Sequence, residues 1–104
     1  MPIYRAPVDD YRFVLHELLE LEKQRDLPQF ADLSPDLVDD ILTNAAKFCE
    51  EVLQPINQSG DEEGCRFENG VVRTPKGFKE AYEAYRQAGW GGLGAPGEFG
   101  GSGM

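Results

Sequence analysis

A chain of 104 residues with a net charge of −9 and a pI near 4.4 has room for one small domain and lacks the clustered Lys and Arg that a nucleic-acid backbone demands. It has no run approaching the roughly 18 apolar residues of a membrane span, and no basic region followed by an apolar stretch at its start, so neither a nucleic-acid partner nor a membrane span is expected and a cytoplasmic location is. Apolar residues are 40% of the total, yet a domain of this size buries only about 60–65% of its unfolded surface, so the core should be a thin helical layer.

The prolines at positions 2 and 7 predict an extended strap, because each lacks a donor and biases its predecessor away from the helical region. A helix should start at Val8 or Asp9. Tyr11, Val14, Leu15, Leu18, Leu19 and Leu21 then recur at three- and four-residue spacings, and Asp9 stands three residues before Arg12 on one side. His16 lies among Arg12, Glu17 and Glu20 and reads as a solvated histidine paired with Glu20. From Glu22 to Leu33 a connection interrupted by Pro28 should tuck Leu27, Phe30 and Leu33 under the next element.

Ser34-Pro35 announces the strongest helix, with an N-cap hydroxyl, a proline suited to the first helical position and Asp36, Asp39 and Asp40 near the positive end of the dipole. Its apolar residues run from Leu37 to Ile56 in two rows, 41, 45, 48, 52 and 42, 46, 49, 53, so it must face neighbours on more than one side. Cys49 belongs to this apolar set. Pro55 should kink or end the helix, with Gly60 as the stop and Asp61-Glu62-Glu63 as a solvated acidic turn. A calcium loop starting at Ser59 fails, because its twelfth position falls on Gly70 where a bidentate glutamate is needed. Cys49 and Cys65 have no zinc-type spacing, and with one histidine the chain has no metal set; both should be reduced thiols.

Arg66–Glu68 and Val71–Arg73 flank Asn69-Gly70, the pair suited to a two-residue hairpin turn. Thr74-Pro75 repeats the cap-plus-proline signal, and Phe78, Ala81, Tyr82 and Tyr85 follow at helical spacing, with Gly77 read as lying inside the helix and Gly89 just past its end. The expected fold class is therefore all-α: a small antiparallel domain of three main helices with one short β-hairpin. Eight of the twelve glycines lie between Gly89 and Gly103. Within them Gly92, Gly94 and Gly97 spell G-x-G-x-x-G, but a dinucleotide loop needs a strand before it and a helix after it, and here a helix comes before and more glycine after.

Gly77 to Gly101, GFKEAYEAYRQAGWGGLGAPGEFGG, resembles the end of the N-terminal helical domain of FAD-dependent acyl-CoA dehydrogenases, where a helix ends in Gly-Trp and a Pro-x-x-Tyr-Gly-Gly-x-Gly turn follows. Ala45-Ala46-Lys47-Phe48, Glu51-Val52-Leu53-x-Pro55 and Gly60-Asp61-x-Glu63-Gly64 look like the preceding helix and exit loop of that domain. Tyr4-Arg5-Ala6-Pro7-Val8 with Arg12-Phe13 is similar to a short extension in the branch that includes methylthiopropanoyl-CoA dehydrogenases. Phe99 stands where the family usually has tyrosine, and Gly97 where a larger residue is usual.

The resemblance implies that residues 1–33 are an N-terminal extension and that residues 34–104 begin the helical domain of a three-domain enzyme, truncated at its C-terminal end. It implies FAD as cofactor, held mainly by domains outside this chain, acyl-CoA as substrate, an electron-transfer flavoprotein as partner, a place in fatty acid metabolism and a homo-oligomer, dimer or tetramer. It places no catalytic, cofactor-binding or metal residue in this chain. Phe99, Gly100 and Gly101 are the candidates for approaching the acyl pocket. The alternative is a stand-alone helical interaction module of shared ancestry.

Overall fold

The computed structural model describes residues 3–104, so Pro2 of the expected strap lies outside the described residues. The architecture is helical with one short antiparallel β-hairpin, as the sequence pattern predicts. Helix α1 (Val8–Arg12) passes into a π-helical stretch (Phe13–Leu18), where the Leu19 N–H donates five residues back to the Val14 carbonyl at 2.8 Å. The helix ends there and not at Leu21. Glu20 adopts a left-handed conformation with φ 49°, which turns the chain into a 3-10 stretch (Leu21–Asp26) and carries Glu22 back to His16. A second 3-10 turn (Pro28–Phe30) completes the connection.

Helix α2 (Pro35–Phe48) opens as its cap predicts, with the Ser34 hydroxyl accepting the Leu37 N–H at 3.1 Å and Pro35 in the first turn. Pro55 does not break it. A mid-helix proline lacks a donor and its ring strikes the carbonyl four residues back, here that of Glu51. The helix widens to π geometry over Cys49–Leu53, with the Gln54 N–H donating to the Cys49 carbonyl, and continues as α3 (Gln54–Glu63). Residues 35–63 thus form one rod, on the order of 40 Å long at about 1.5 Å per residue.

Gly60 is not the stop: α3 continues to Glu63, and Gly64, at φ 68°, ends it. Gly60 is buried because the Phe78 ring lies on it; a Cβ there would sit 2.5 Å from Phe78 Cζ. Strands β1 (Arg66–Glu68) and β2 (Val71–Arg73) pair Arg66 with Arg73, Phe67 with Val72 and Glu68 with Val71. Asn69 (φ 52°) and Gly70 (φ 77°) both take left-handed values, the type I′ turn that Asn-Gly predicts.

Helix α4 (Phe78–Gln87) starts later than Thr74-Pro75 suggests, and Gly77 is its N-cap and not an interior residue. Its φ of 91° is a conformation L side chains rarely adopt, and a Cβ would also lie 2.9 Å from Ile56 Cγ2. The turn preceding α4 is held on α3 by the Lys76 N–H, which donates to the Glu63 carboxylate at 3.2 and 3.3 Å.

The result is a flat, open body. Its dimensions are 54 × 36 × 17 Å and its radius of gyration is 17.4 Å, against about 13 Å for a compact chain of this length. Among the described residues only Val38 and Ala81 form a buried hydrophobic core, each 7% exposed. Leu33 lines a hollow with Pro35 and Val38 of α2, as expected, but Leu27 is exposed and Phe30 faces the C-terminal tail, so those two are not tucked under α2.

Replacing Gly60 by alanine sets a helix-propensity gain of about 1 kcal/mol against overpacking of about 1–3 kcal/mol. Urea unfolding should show Gly60→Ala as net destabilising. In a Phe78→Ala background the same change should become neutral or stabilising by up to about 1 kcal/mol, since only the propensity gain remains.

Candidate functional site

Two regions carry the features a site would need, and both lie at the α4 end of the sequence. The first is the glycine-rich tail. After α4 the chain makes two 3-10 turns (Trp90–Gly92 and Gly97–Phe99) and folds back on itself. The N–H groups of Ser102, Gly103 and Met104 donate to the carbonyls of Gly92, Ala95 and Leu93 at 2.9, 2.9 and 3.0 Å, and the Gly101 N–H donates to the Pro96 carbonyl at 3.1 Å. A side chain at Gly101 would meet the backbone of Ala95, with its Cβ 2.5 Å from the Ala95 carbonyl carbon. Glycine is therefore required there by close backbone approach.

This geometry disposes of the G-x-G-x-x-G reading on physical grounds. A phosphate loop presents free N–H groups to its anion, whereas here the N–H groups of Gly92, Leu93 and Ala95 donate to the carbonyls of Gly89, Trp90 and Gly92. These three N–H groups are thus taken up within the chain and not presented to an anion.

Phe99, Gly100 and Gly101 occupy one tight turn, with Gly100 at φ 85°. Phe99 is 78% exposed at its tip, so the turn displays the ring and does not bury it. Beside the turn, Gln29 and Phe30 face Pro96, Ser102 and Met104 around a depression of about 470 Å³. The pattern of residues 22–33 gave no signal for this contact, because Phe30 was accounted for by the helix that follows it in sequence.

The second region is an apolar groove of about 420 Å³ between the rod and α4, lined chiefly by Phe48, Leu53, Ile56, Phe78, Tyr82 and Tyr85. Phe48 and Tyr85 meet across it with ring centroids 6.1 Å apart at 54°, and Tyr82 stacks beside Tyr85 at 6.3 Å. The i, i+4, i+7 spacing of Phe78, Tyr82 and Tyr85 made their half legible; that Phe48 and Ile56 would face them depends on how α4 docks. The groove's polar groups are the two tyrosine hydroxyls and Asn57. Such a lining can hold apolar atoms but brings no acid and base together. Among the described residues, no three His, Cys, Asp or Glu side chains are grouped to hold a metal ion, and no helix is long and apolar enough to cross a membrane.

No protein-family model matches the chain. Curated proteins do: 3-methylmercaptopropionyl-CoA dehydrogenase of Ruegeria pomeroyi is 36% identical over 101 residues, 97% of this chain and 17% of that protein. Butyryl-CoA dehydrogenase of Syntrophomonas wolfei subsp. wolfei is 34% identical over 92 residues, 85% of this chain and 15% of that protein. A broad-specificity linear acyl-CoA dehydrogenase of Mycobacterium tuberculosis is 29% identical over 106 residues, the whole of this chain and 17% of that protein. The chain is homologous to members of the acyl-CoA dehydrogenase family and spans about a sixth of the length of these relatives.

Two outcomes follow from the geometry. Gly101→Ala should release the tail, read by hydrogen exchange as lost protection at the amides of Ser102, Gly103 and Met104 while those of α2 to α4 keep theirs. The 104-residue chain should also enhance the fluorescence of a hydrophobic dye, and Tyr82→Glu should reduce that enhancement; a dye-silent parent chain would show that the groove is closed in solution.

Proposed function

We propose that the chain is the N-terminal helical segment of an FAD-dependent acyl-CoA dehydrogenase, of the branch that includes the methylthiopropanoyl-CoA dehydrogenases. The observation that carries this reading is the 36% identity to the Ruegeria pomeroyi enzyme across 97% of the chain. In this proposal residues 1–33 are the extension and residues 34–104 begin the helical domain. The reaction of the whole protein is α,β-dehydrogenation of an acyl-CoA thioester, with FAD as hydride acceptor and an electron-transfer flavoprotein taking the electrons onward. The whole protein is a cytoplasmic homo-oligomer.

The described residues do not by themselves fit FAD, since the glycine-rich loop spends the N–H groups of Gly92, Leu93 and Ala95 on nearby carbonyls and has neither a strand before it nor an α-helix after it. Flavin binding and the catalytic base are accordingly assigned to other parts of the protein, and this chain alone is non-catalytic. What it contributes is shape. The exposed Phe99 ring with Gly100 and Gly101 forms a projecting turn that can border the acyl pocket, and the apolar groove is a face for further helical structure.

The test uses the protein encoded by the complete gene. It should purify yellow, with flavin absorbance, and reduce a dye when given acyl-CoA, whereas the 104-residue chain should do neither. Phe99→Ala in the complete protein should raise KM for acyl-CoA more than it lowers kcat. A colourless complete protein inert to acyl-CoA would defeat the enzyme reading and leave a helical interaction module.

A further inference from the structure

The N-terminal segment is attached to the rod mainly by polar contacts. Tyr11, Phe13, Val14, Leu18 and Leu19 all remain exposed, so apolar burial contributes little to its docking. In its place, two carboxylates of the rod hold it. Glu50 accepts the Ala6 N–H at 2.9 Å. Asp39 Oδ1 receives both Arg12 Nε at 3.2 Å and His16 Nε2 at 3.1 Å. The other ring nitrogen, His16 Nδ1, lies 2.6 Å from Glu22 Oε1. The histidine thus pairs with Glu22 and Asp39, not with Glu20 as the helical spacing suggested; Glu20 pairs with Lys23 at 2.8 Å.

Both ring nitrogens face carboxylate oxygens, so both are satisfied only when both carry protons. A neutral imidazole has one bare lone pair, which would point at a carboxylate whichever tautomer formed. We propose that His16 is a proton-dependent latch that joins three separate pieces, the first helical stretch, the 3-10 turn of residues 21–26 and α2, and that losing its proton loosens residues 8–26 on the rod, to which Glu50 and the Arg12–Asp39 pair still tether the segment.

The surroundings favour this role. Besides Glu22, Asp39 and, behind Asp39, Arg12 with its partner Asp9 at 3.2 Å, the elements packed around the ring supply Leu21, Leu33, Pro35 and Val38. Ser34 is also there, with its hydroxyl occupied in capping α2. Val38 is one of the two buried core residues, so the latch closes over the part of the core that opening would expose.

The charges follow the geometry. The hydrogen bond to Asp39, followed by that to Glu22, lifts His16 above its ordinary 6.5 despite the opposing effect of partial burial. Asp39 is held below its ordinary 3.8, first by the His16 hydrogen bond and then by that from Arg12. Glu22 is held below 4.5, chiefly by its own backbone N–H and then by His16. A raised histidine contributes stability that is complete below 6.5 and is lost as pH rises through its folded value; the lowered carboxylates contribute above their ordinary values and lose that contribution as pH falls. Docking of the segment should therefore be tightest between about 4.5 and 6.5, the ordinary values of Glu22 and His16.

His16 is the chain's one histidine, so its ring resonances are unambiguous in an NMR titration. The ring should titrate above 6.5. Amide protection of residues 8–26, corrected for intrinsic exchange, should fall several-fold with the same midpoint while α4 is unaffected. Asp39→Asn and Glu22→Gln should each move the ring's midpoint down, and His16→Gln should abolish the pH dependence of protection. The proposal is overturned if the ring titrates at or below 6.5, if protection of residues 8–26 does not follow the ring, or if the same dependence survives in His16→Gln. Should His16→Gln fail to fold, the parent titration and the two carboxylate variants still decide.

Discussion

The fold depends on a helix that runs past a proline. At Pro55 a regular helix loses one donor and meets a ring-to-carbonyl clash that together cost about 3 kcal/mol or more. Widening to π geometry just before it, over Cys49–Leu53, keeps residues 35–63 a single rod. Everything else attaches to that rod. Asp39 near its start and Glu50 at its middle receive the N-terminal segment, while Ile56, Gly60 and Glu63 receive α4 and its leading turn towards its end. Had the helix stopped at Pro55, the Gly60 seat for Phe78 would not exist, and α4 would keep only the apolar surface of Phe48 and Leu53 on which to dock.

The two attachments differ in kind. Phe78 on Gly60 is an apolar contact, set by shape and indifferent to pH, whereas the Asp39 contacts are ionic and mostly at the edge of solvent. Exposed ion pairs contribute only about 0–1 kcal/mol each, so the N-terminal segment is the more easily detached of the two. The same contrast appears in the burial: α4 places Ala81 in the core, while the first helical stretch buries none of its own residues.

Local chemistry was legible in the sequence wherever it acts over a few residues. Ser34-Pro35 fixed the start of the long helix, Asn69-Gly70 fixed the hairpin, and the spacing of Phe78, Tyr82 and Tyr85 fixed the face of α4. What the pattern missed are residues whose roles are set by distant partners. Gly60 looks like a helix stop until Phe78 is placed on it, and Gly77 looks like a helix interior residue until Ile56 closes the space beside it. His16 is one helical turn from Glu20, yet its partners come from Glu22, brought back by the left-handed Glu20, and from Asp39, twenty-three residues away.

The glycine-rich tail shows why a motif without its flanks misleads. The same glycines that let a phosphate approach a backbone also let one stretch of backbone approach another, and the deciding quantity is where the N–H groups point. Most of those from Gly92 to Met104, including the six from Phe99 onward, donate within the tail, and the most exposed large apolar group it presents is the ring of Phe99. A turn closed by its own backbone hydrogen bonds holds its shape without a ligand. Because Gly101 presses on Ala95, the position of Phe99 is set by backbone contact and not by side-chain packing. Exchange of the aromatic ring for another of similar size should therefore alter what the turn presents without altering the turn.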